Sequence, residues 1–337
     1  MKPFIKPRRL ETGSTVAAIS ISGGRAGDPD LRWRYELGKK RLETVFGLRV
    51  IETPNALRGT AFLYQNPRAR AEDLLWALEN SEVEGIITCM GGDDSYRILP
   101  FLDRETIRRH PKVMMGFSDI TTTCMVFARA GVTSFYGPCL LTPIAQPGEL
   151  DPYTENAVRK TLFSSEAPGL ILPCEAYTPI DWQDKAASEI IWQKNSGYRC
   201  IQGQGKVRGR LLGGCVGPLQ QIMGTDTYPC AEMWDGALLF LENGIPYGSL
   251  RAELHAWRTI AASGAFSKAA GLITPEMTEE VEQILLKVLK EAGREDLPVL
   301  VNADFGHRTP MTVLPLGAIA EIDCGQLTFS ILESAVC

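Results

Sequence analysis

The feature that most narrows the fold is an alternation in the first half of the chain, where short apolar runs take turns with segments of helical period. Val16 to Ile21 reads as a first strand, Leu48 to Glu52 as a second, Gly85 to Cys89 as a third and Lys112 to Met115 as a fourth, with Val132 to Tyr136 continuing the series. Between them lie helical stretches from Pro29 to Phe46, from Asn66-Pro67 through Leu78, from Tyr96, from Asp103 to His110 and from Asp119 to Ala130, the last closed by Gly131. Buried strands that follow one another in parallel need crossovers, and helices supply them. The pattern predicts a flavodoxin-like parallel sheet with helices on both faces. Pro152 to Phe163 makes the last helix of this half, and the N-terminal domain is expected to span residues 1–165.

Ligands of such sheets bind beyond the carboxyl ends of the strands. Two features fall there. Gly91-Gly92 directly follows the third strand, and a double glycine lets backbone N–H groups approach a ligand closely. Ser118 stands at the corner between the fourth strand and the next helix. Two readings of Ser118 stay open from this stretch alone. Ser followed by Asp is an ordinary helix cap that satisfies orphan N–H groups. The same corner also projects a hydroxyl where the helix N-terminus can stabilise an oxyanion, which is what a serine nucleophile needs. The stretch lacks the second glycine of G-x-S-x-G, since Ile120 stands there.

A chain of 337 residues suggests two domains. At 45% hydrophobic and 22% charged, with a net charge of −5, it has the composition of an ordinary globular protein and excludes nucleic acid as main partner. No run approaches a membrane span, and Val16 to Ile21 is too short for a signal peptide despite the basic residues before it. Nine cysteines without a C-x-x-C pair, beside three histidines, favour neither zinc nor a disulfide framework. Reduced thiols in a cytoplasmic protein are expected.

Residues 166–203 differ in character. Pro173, Pro179, Trp182, Trp192 and Tyr198 punctuate a stretch without sustained period, read as an aromatic loop that either covers a ligand or packs as a linker. The C-terminal domain is expected over 204–337. There Lys206 to Leu212, Gly236 to Leu241, Ala270 to Thr274 and Pro298 to Asn302 read as strands, Leu250 to Ala262 and Glu279 to Glu291 as helices, and Thr312 to Leu332 as a hairpin turning at Cys324-Gly325. Two of these strands deliver a titratable group beside glycine: Glu242 and His307. Each alone has a plain explanation, a solvated carboxylate or a structural histidine. With Ser118 they make a nucleophile, a base and an orienting acid. His110 sits in a charged run and His255 inside a helix, so only His307 is presented on a loop after a strand. Cys215, after the double glycine Gly213-Gly214, is a weaker alternative nucleophile, and a non-catalytic binding protein for a small peptide or nucleotide is the competing class.

The blocks GGDDSYRILPFLD (Gly91 to Asp103), HPKVMMGFSDIT (His110 to Thr121), SFYGP (Ser134 to Pro138), GRLLGG (Gly209 to Gly214), LLFLEN (Leu238 to Asn243) and DFGH (Asp304 to His307) run in one order across the chain. In this the sequence resembles the LD-carboxypeptidases and the related microcin C immunity peptidases. The resemblance implies a cofactor-independent serine peptidase with Ser118 as nucleophile, Glu242 as acid, His307 as base and the N–H groups of Gly92 and Asp119 as oxyanion hole. It implies a parallel-sheet N-terminal domain joined to a smaller C-terminal α/β domain, the site at their interface, and commonly a homodimer. The run Asp181 to Tyr198 looks like the long aromatic loop of the microcin-immunity branch, whose aromatics hold the nucleotide of a peptidyl-nucleotide. That makes Trp182 and Trp192 candidate substrate contacts, with Gly91, Asp93 and Cys215. The chain departs from the family at Cys215, where Asn is common, and at Asp93-Asp94, where small or amide residues are usual. The expected substrate is a peptidyl- or aminoacyl-nucleotide, with a muropeptide ending in D-alanine as the alternative.

Overall fold

The apolar runs of the first half form strands Thr15–Ile19, Arg49–Glu52, Gly85–Thr88, Val113–Gly116 and Phe135–Tyr136, in a computed structural model that describes residues 3–180, 190–243 and 249–337. All four pairings among them are parallel. In space they run second, first, third, fourth, fifth, the flavodoxin-like order. The order reverses between Thr15–Ile19 and Gly85–Thr88, so the loops after those two strands flank the crevice where such sheets take ligands. The sheet is completed by Leu314–Pro315, antiparallel to Phe135–Tyr136. A segment from near the chain's end therefore closes a sheet that the sequence reading assigned wholly to residues 1–165.

A second sheet has eight strands: Gly169–Ile171, Thr328–Ile331, Ile319–Asp323, Lys206–Cys215, Leu238–Glu242, Gly271–Ile273, Val299–Val301 and Arg199–Gln202, in that spatial order. Its middle four are parallel and its margins antiparallel. Ile319–Asp323 and Thr328–Ile331 form the hairpin anticipated around Cys324-Gly325. The stretch read as a loop without period instead contributes strands. Ala176–Pro179 pairs with both Gln193–Lys194 and Arg308–Thr309 in a small third sheet, and Arg199–Gln202 edges the second. These strands are two to four residues long, too short to show a period.

Helix Thr121–Ala130 follows Ser118, and nine of its ten residues are buried. A helix apolar on every side must be surrounded, and this one packs against Lys206–Cys215 and the helix Val216–Gln221 of the second half. The approach is close. A Cβ on Gly214 would lie 2.6 Å from Thr121 Oγ1, and one on Gly213 1.7 Å from the carbonyl oxygen of Phe240. Gly214, just before Cys215, is thus a point where the two halves press together, while Gly213 leaves room for the neighbouring strand of its own sheet. The largest apolar cluster joins them, with Phe117 and Met125 alongside Leu212 and Phe240. None of the nine cysteines is in a disulfide, and no helix among the described residues is long and apolar enough to cross a membrane.

Candidate active site

Ser118 is held at φ +63° at the start of a 3-10 turn, Ser118–Ile120, that precedes the helix proper. A non-glycine residue there is strained by about 1–3 kcal/mol and persists only when its surroundings impose it. Its hydroxyl caps nothing: the helix Thr121–Ala130 has no side-chain cap bond. The cap reading of Ser118 therefore fails. Instead the hydroxyl lies 3.0 Å from His307 Nε2.

His307 arrives on the loop after Val299–Val301, and its Nδ1 lies 2.9 Å from Glu242 Oε2. Glu242 ends strand Leu238–Glu242 and is 2% exposed. The same carboxylate oxygen accepts the His307 backbone N–H at 2.9 Å, which fixes the ring's position as well as its orientation. A carboxylate oxygen only accepts, so Nδ1 carries the ring proton and Nε2 presents a lone pair to the serine hydroxyl. Burial pulls the His307 pKa down, but the Glu242 charge and hydrogen bond outweigh it, and the net shift is upward. The imidazole packs against Phe117 in a T-shaped contact, with ring centroids 5.4 Å apart.

Sequence reasoning missed Tyr136. Its hydroxyl accepts the Ser118 N–H at 2.9 Å and donates to Glu242 Oε1 in a short hydrogen bond. One buried phenol thereby ties the backbone of the serine to a carboxylate on the other sheet. Burial and the Glu242 charge raise its pKa far above 10, so it remains a donor. The available signal was a tyrosine ending a strand of a sheet expected to be covered on both faces, where the hydroxyl must find a partner.

Gly91 abuts the serine: a Cβ there would fall 2.9 Å from Ser118 Cβ. Asp119 is buried, and its carboxylate accepts from Ser22 Oγ in a short bond and from the Ser95 N–H at 2.8 Å. Burial pushes this carboxyl above the ordinary aspartate range against the pull of those hydrogen bonds. The loops after the first, third and fourth strands are thus laced together beneath Ser118 and Gly92, a role for Ser22 and Ser95 that their residue types alone did not disclose. Asp94 belongs to this scaffold too, pairing with fully buried Arg70 at 2.7 Å and with Arg97 at 2.7 Å. Asp93 is exposed on the same loop, and its carbonyl accepts from Gln221.

Cys215 is buried at the end of its strand, its N–H donating to Thr121 Oγ1 at 2.9 Å, and the imidazole faces Ser118 instead. Trp192 is 41% exposed and lines a cavity with Tyr153, Lys160 and Pro173. The cavity beside the imidazole, about 430 Å³, is lined by Glu242, His307, Tyr177 and Gln193, without Trp192. Trp182 lies outside the described residues.

Gly306, at φ +84°, makes the His307–Glu242 contact possible, because a Cβ there would sit 2.0 Å from Glu242 Oε2. Gly306→Ala should displace the imidazole and lower kcat by about 10²-fold. Steady-state kinetics on the folded variant checks this, and unchanged kcat would detach the geometry from turnover.

Architecture of this kind places the protein among the serine hydrolases. Comparison with known proteins narrows the class: residues 16–137 match the N-terminal domain and residues 208–322 the C-terminal domain of the LD-carboxypeptidases. The chain belongs to that family, the Peptidase S66 serine peptidases. It is 29% identical over 285 residues to the microcin C7 self-immunity protein MccF of Escherichia coli, covering 79% of this chain and 78% of MccF. It is 26% identical over 268 residues to the murein tetrapeptide carboxypeptidase of Pseudomonas aeruginosa, covering 77% and 78%. MccF solved in complex with aspartyl sulfamoyl adenosine superposes with a TM-score of 0.85 at 25% identity, over 99% of this chain and 100% of MccF. An MccF-like protein from Streptococcus pneumoniae in complex with AMP gives 0.86 at 25% identity, over 95% and 98%.

Proposed function

We propose that the protein hydrolyses an amide bond in a peptidyl- or aminoacyl-nucleotide by acyl transfer to water. Ser118 Oγ attacks the carbonyl carbon as His307 Nε2 takes its proton. The oxyanion is held by the N–H groups of Gly92 and Asp119. The imidazolium, stabilised by Glu242, returns the proton to the leaving nitrogen, and water then releases the acyl group from Ser118 by the same path. The observation that carries this reading is the unbroken series of contacts from Ser118 Oγ to His307 at 3.0 Å and on to Glu242 at 2.9 Å. A positioned base supplies roughly 10²- to 10⁴-fold and the oxyanion donors more.

Similarity over nearly the whole chain to MccF, solved with an aminoacyl sulfamoyl adenosine, supports the nucleotide substrate. The resemblance to the murein tetrapeptide carboxypeptidase supports the second reading, removal of terminal D-alanine from a muropeptide. The Ser118 hydroxyl aligned on the lone pair of His307, itself held by Glu242, speaks for a hydrolase over a merely binding protein. A cytoplasmic homodimer goes with the same family reading.

Product release by mass spectrometry tests it, with an L,D-linked tetrapeptide and an amide-linked aminoacyl adenylate analogue supplied in parallel and Ser118→Ala as control. Cleavage of the analogue is expected. Loss of D-alanine alone would move the protein to cell-wall recycling, and turnover of neither would return it to the binding class.

A further inference from the structure

Arg308 follows His307 in the chain and lines the same cavity, yet the proposed chemistry does not use it. It is 5% exposed, and its Nε and both terminal nitrogens are shielded from water without a hydrogen-bond partner. A buried guanidinium left this way is costly unless something satisfies its N–H groups. Two neighbours offset its charge only in part. The face of Tyr177 lies 3.8 Å from the guanidinium carbon. Asp304 Oδ1 is 3.1 Å from one terminal nitrogen. The Asp304 oxygens, however, are already engaged by the Cys174 N–H at 2.8 Å, the Asn195 amide at 3.0 Å and the Cys174 thiol at 3.1 Å. Asp304 supplies a counter-charge without directed acceptors for the guanidinium fork.

We propose that Arg308 is a specificity residue that receives a free carboxylate of the substrate in the cavity beside His307, a deepening that rests on the hydrolytic reading above. A carboxylate matches the guanidinium fork in two parallel hydrogen bonds, which no neutral amide does. To reach it the ligand displaces Tyr177 or Gln193, which sit on paired strands of the small third sheet and are joined by a 2.9 Å hydrogen bond. Glu276 lines the same cavity, so the site offers an acceptor as well as a donor and suits a carboxylate carried near an ammonium group. The carboxylate can belong to an acidic acyl residue or to the carboxyl terminus of a peptide.

Matched pairs separate these sources. Glutamyl and glutaminyl sulfamoyl adenosine form one pair, and a tetrapeptide ending in an L,D-linked D-alanine and the same peptide ending in D-alaninamide the other, titrated calorimetrically into Ser118→Ala protein. The carboxylate member of one pair should bind at least tenfold tighter than its amide. That ratio should fall toward one in Arg308→Gln and survive in part in Arg308→Lys, with the amide's own affinity unchanged. Equal binding of both members of both pairs, or a preference that persists in Arg308→Gln, overturns the inference and leaves the hydrolase standing. Failure of all four to bind overturns it together with the substrate reading beneath it. If Arg308→Gln melts far below the parent while Arg308→Lys folds normally and shows no carboxylate preference, Arg308 serves only as the counter-ion of Asp304.

Discussion

Ser118→Ala is expected to lower kcat by roughly 10⁴- to 10⁶-fold, the range found when a nucleophile that acts as a unit with its base is removed. Stability should barely move. The Ser118 hydroxyl meets His307 Nε2 on a side chain that keeps 28% of its surface exposed, so water can take its place. Alanine inherits the same unfavourable φ of +63°, so no strain is relieved. A change in unfolding free energy within about 0.5 kcal/mol follows, the level of a substitution that breaks no buried contact. Had the hydroxyl capped the helix, the loss would be about 0.5–2 kcal/mol. Parallel single-turnover kinetics and chemical denaturation decide between them: a destabilised variant with substantial activity remaining would remove Ser118 from the chemistry.

The parts of this site that the chain makes locally were legible in its sequence. Strand, turn and helix around Ser118 are written in a few adjacent residues, and the strand ends carrying Glu242 and His307 are marked by apolar runs that stop at a polar residue beside glycine. Scarcity helped too, because only one of three histidines stood on a loop. What stayed hidden depends on distant partners. Tyr136 looked like one more apolar strand residue until Glu242, 106 positions away, supplied the reason for its hydroxyl. Asp94 looked like a departure in a ligand loop because its partner Arg70 lies on a helix 24 residues earlier. Gly213-Gly214 showed only as a double glycine before Cys215, whereas the missing side chains make room for Thr121 and the backbone of Phe240. The strands between residues 166 and 203 escaped because a segment of two to four residues carries no period, and only pairing with distant chain stabilises it. Charge and backbone conformation report on the residue that bears them; packing and hydrogen bonding report on a pair, and one sequence shows only half of each pair.

Glu242→Gln carries the second large effect, and its direction in pH is as informative as its size. The side chains are nearly isosteric, so the contacts to His307 can survive in shape, but the negative charge that stabilises the imidazolium is gone. A loss of roughly 10³- to 10⁴-fold in kcat is expected, comparable to the same change in other hydrolases of this type. In the parent, burial lowers the His307 pKa while the Glu242 charge and hydrogen bond more than reverse it, leaving it above 6.5. The base must be neutral, so activity should fall as pH drops through a value above 6.5. With the Glu242 charge removed, burial becomes the dominant influence, and the acid limb should move to lower pH even as the maximum collapses. Tyr136→Phe separates charge from position: it keeps the carboxylate but removes a donor to Oε1 and an acceptor for the Ser118 N–H. Its limb should therefore stay above 6.5 while kcat falls. The measurement is kcat/KM against pH for the three proteins. A limb that stays put in Glu242→Gln would mean that another group sets it, and the buried Asp119 carboxyl, itself raised by desolvation beneath Ser118, would be the first to replace in turn.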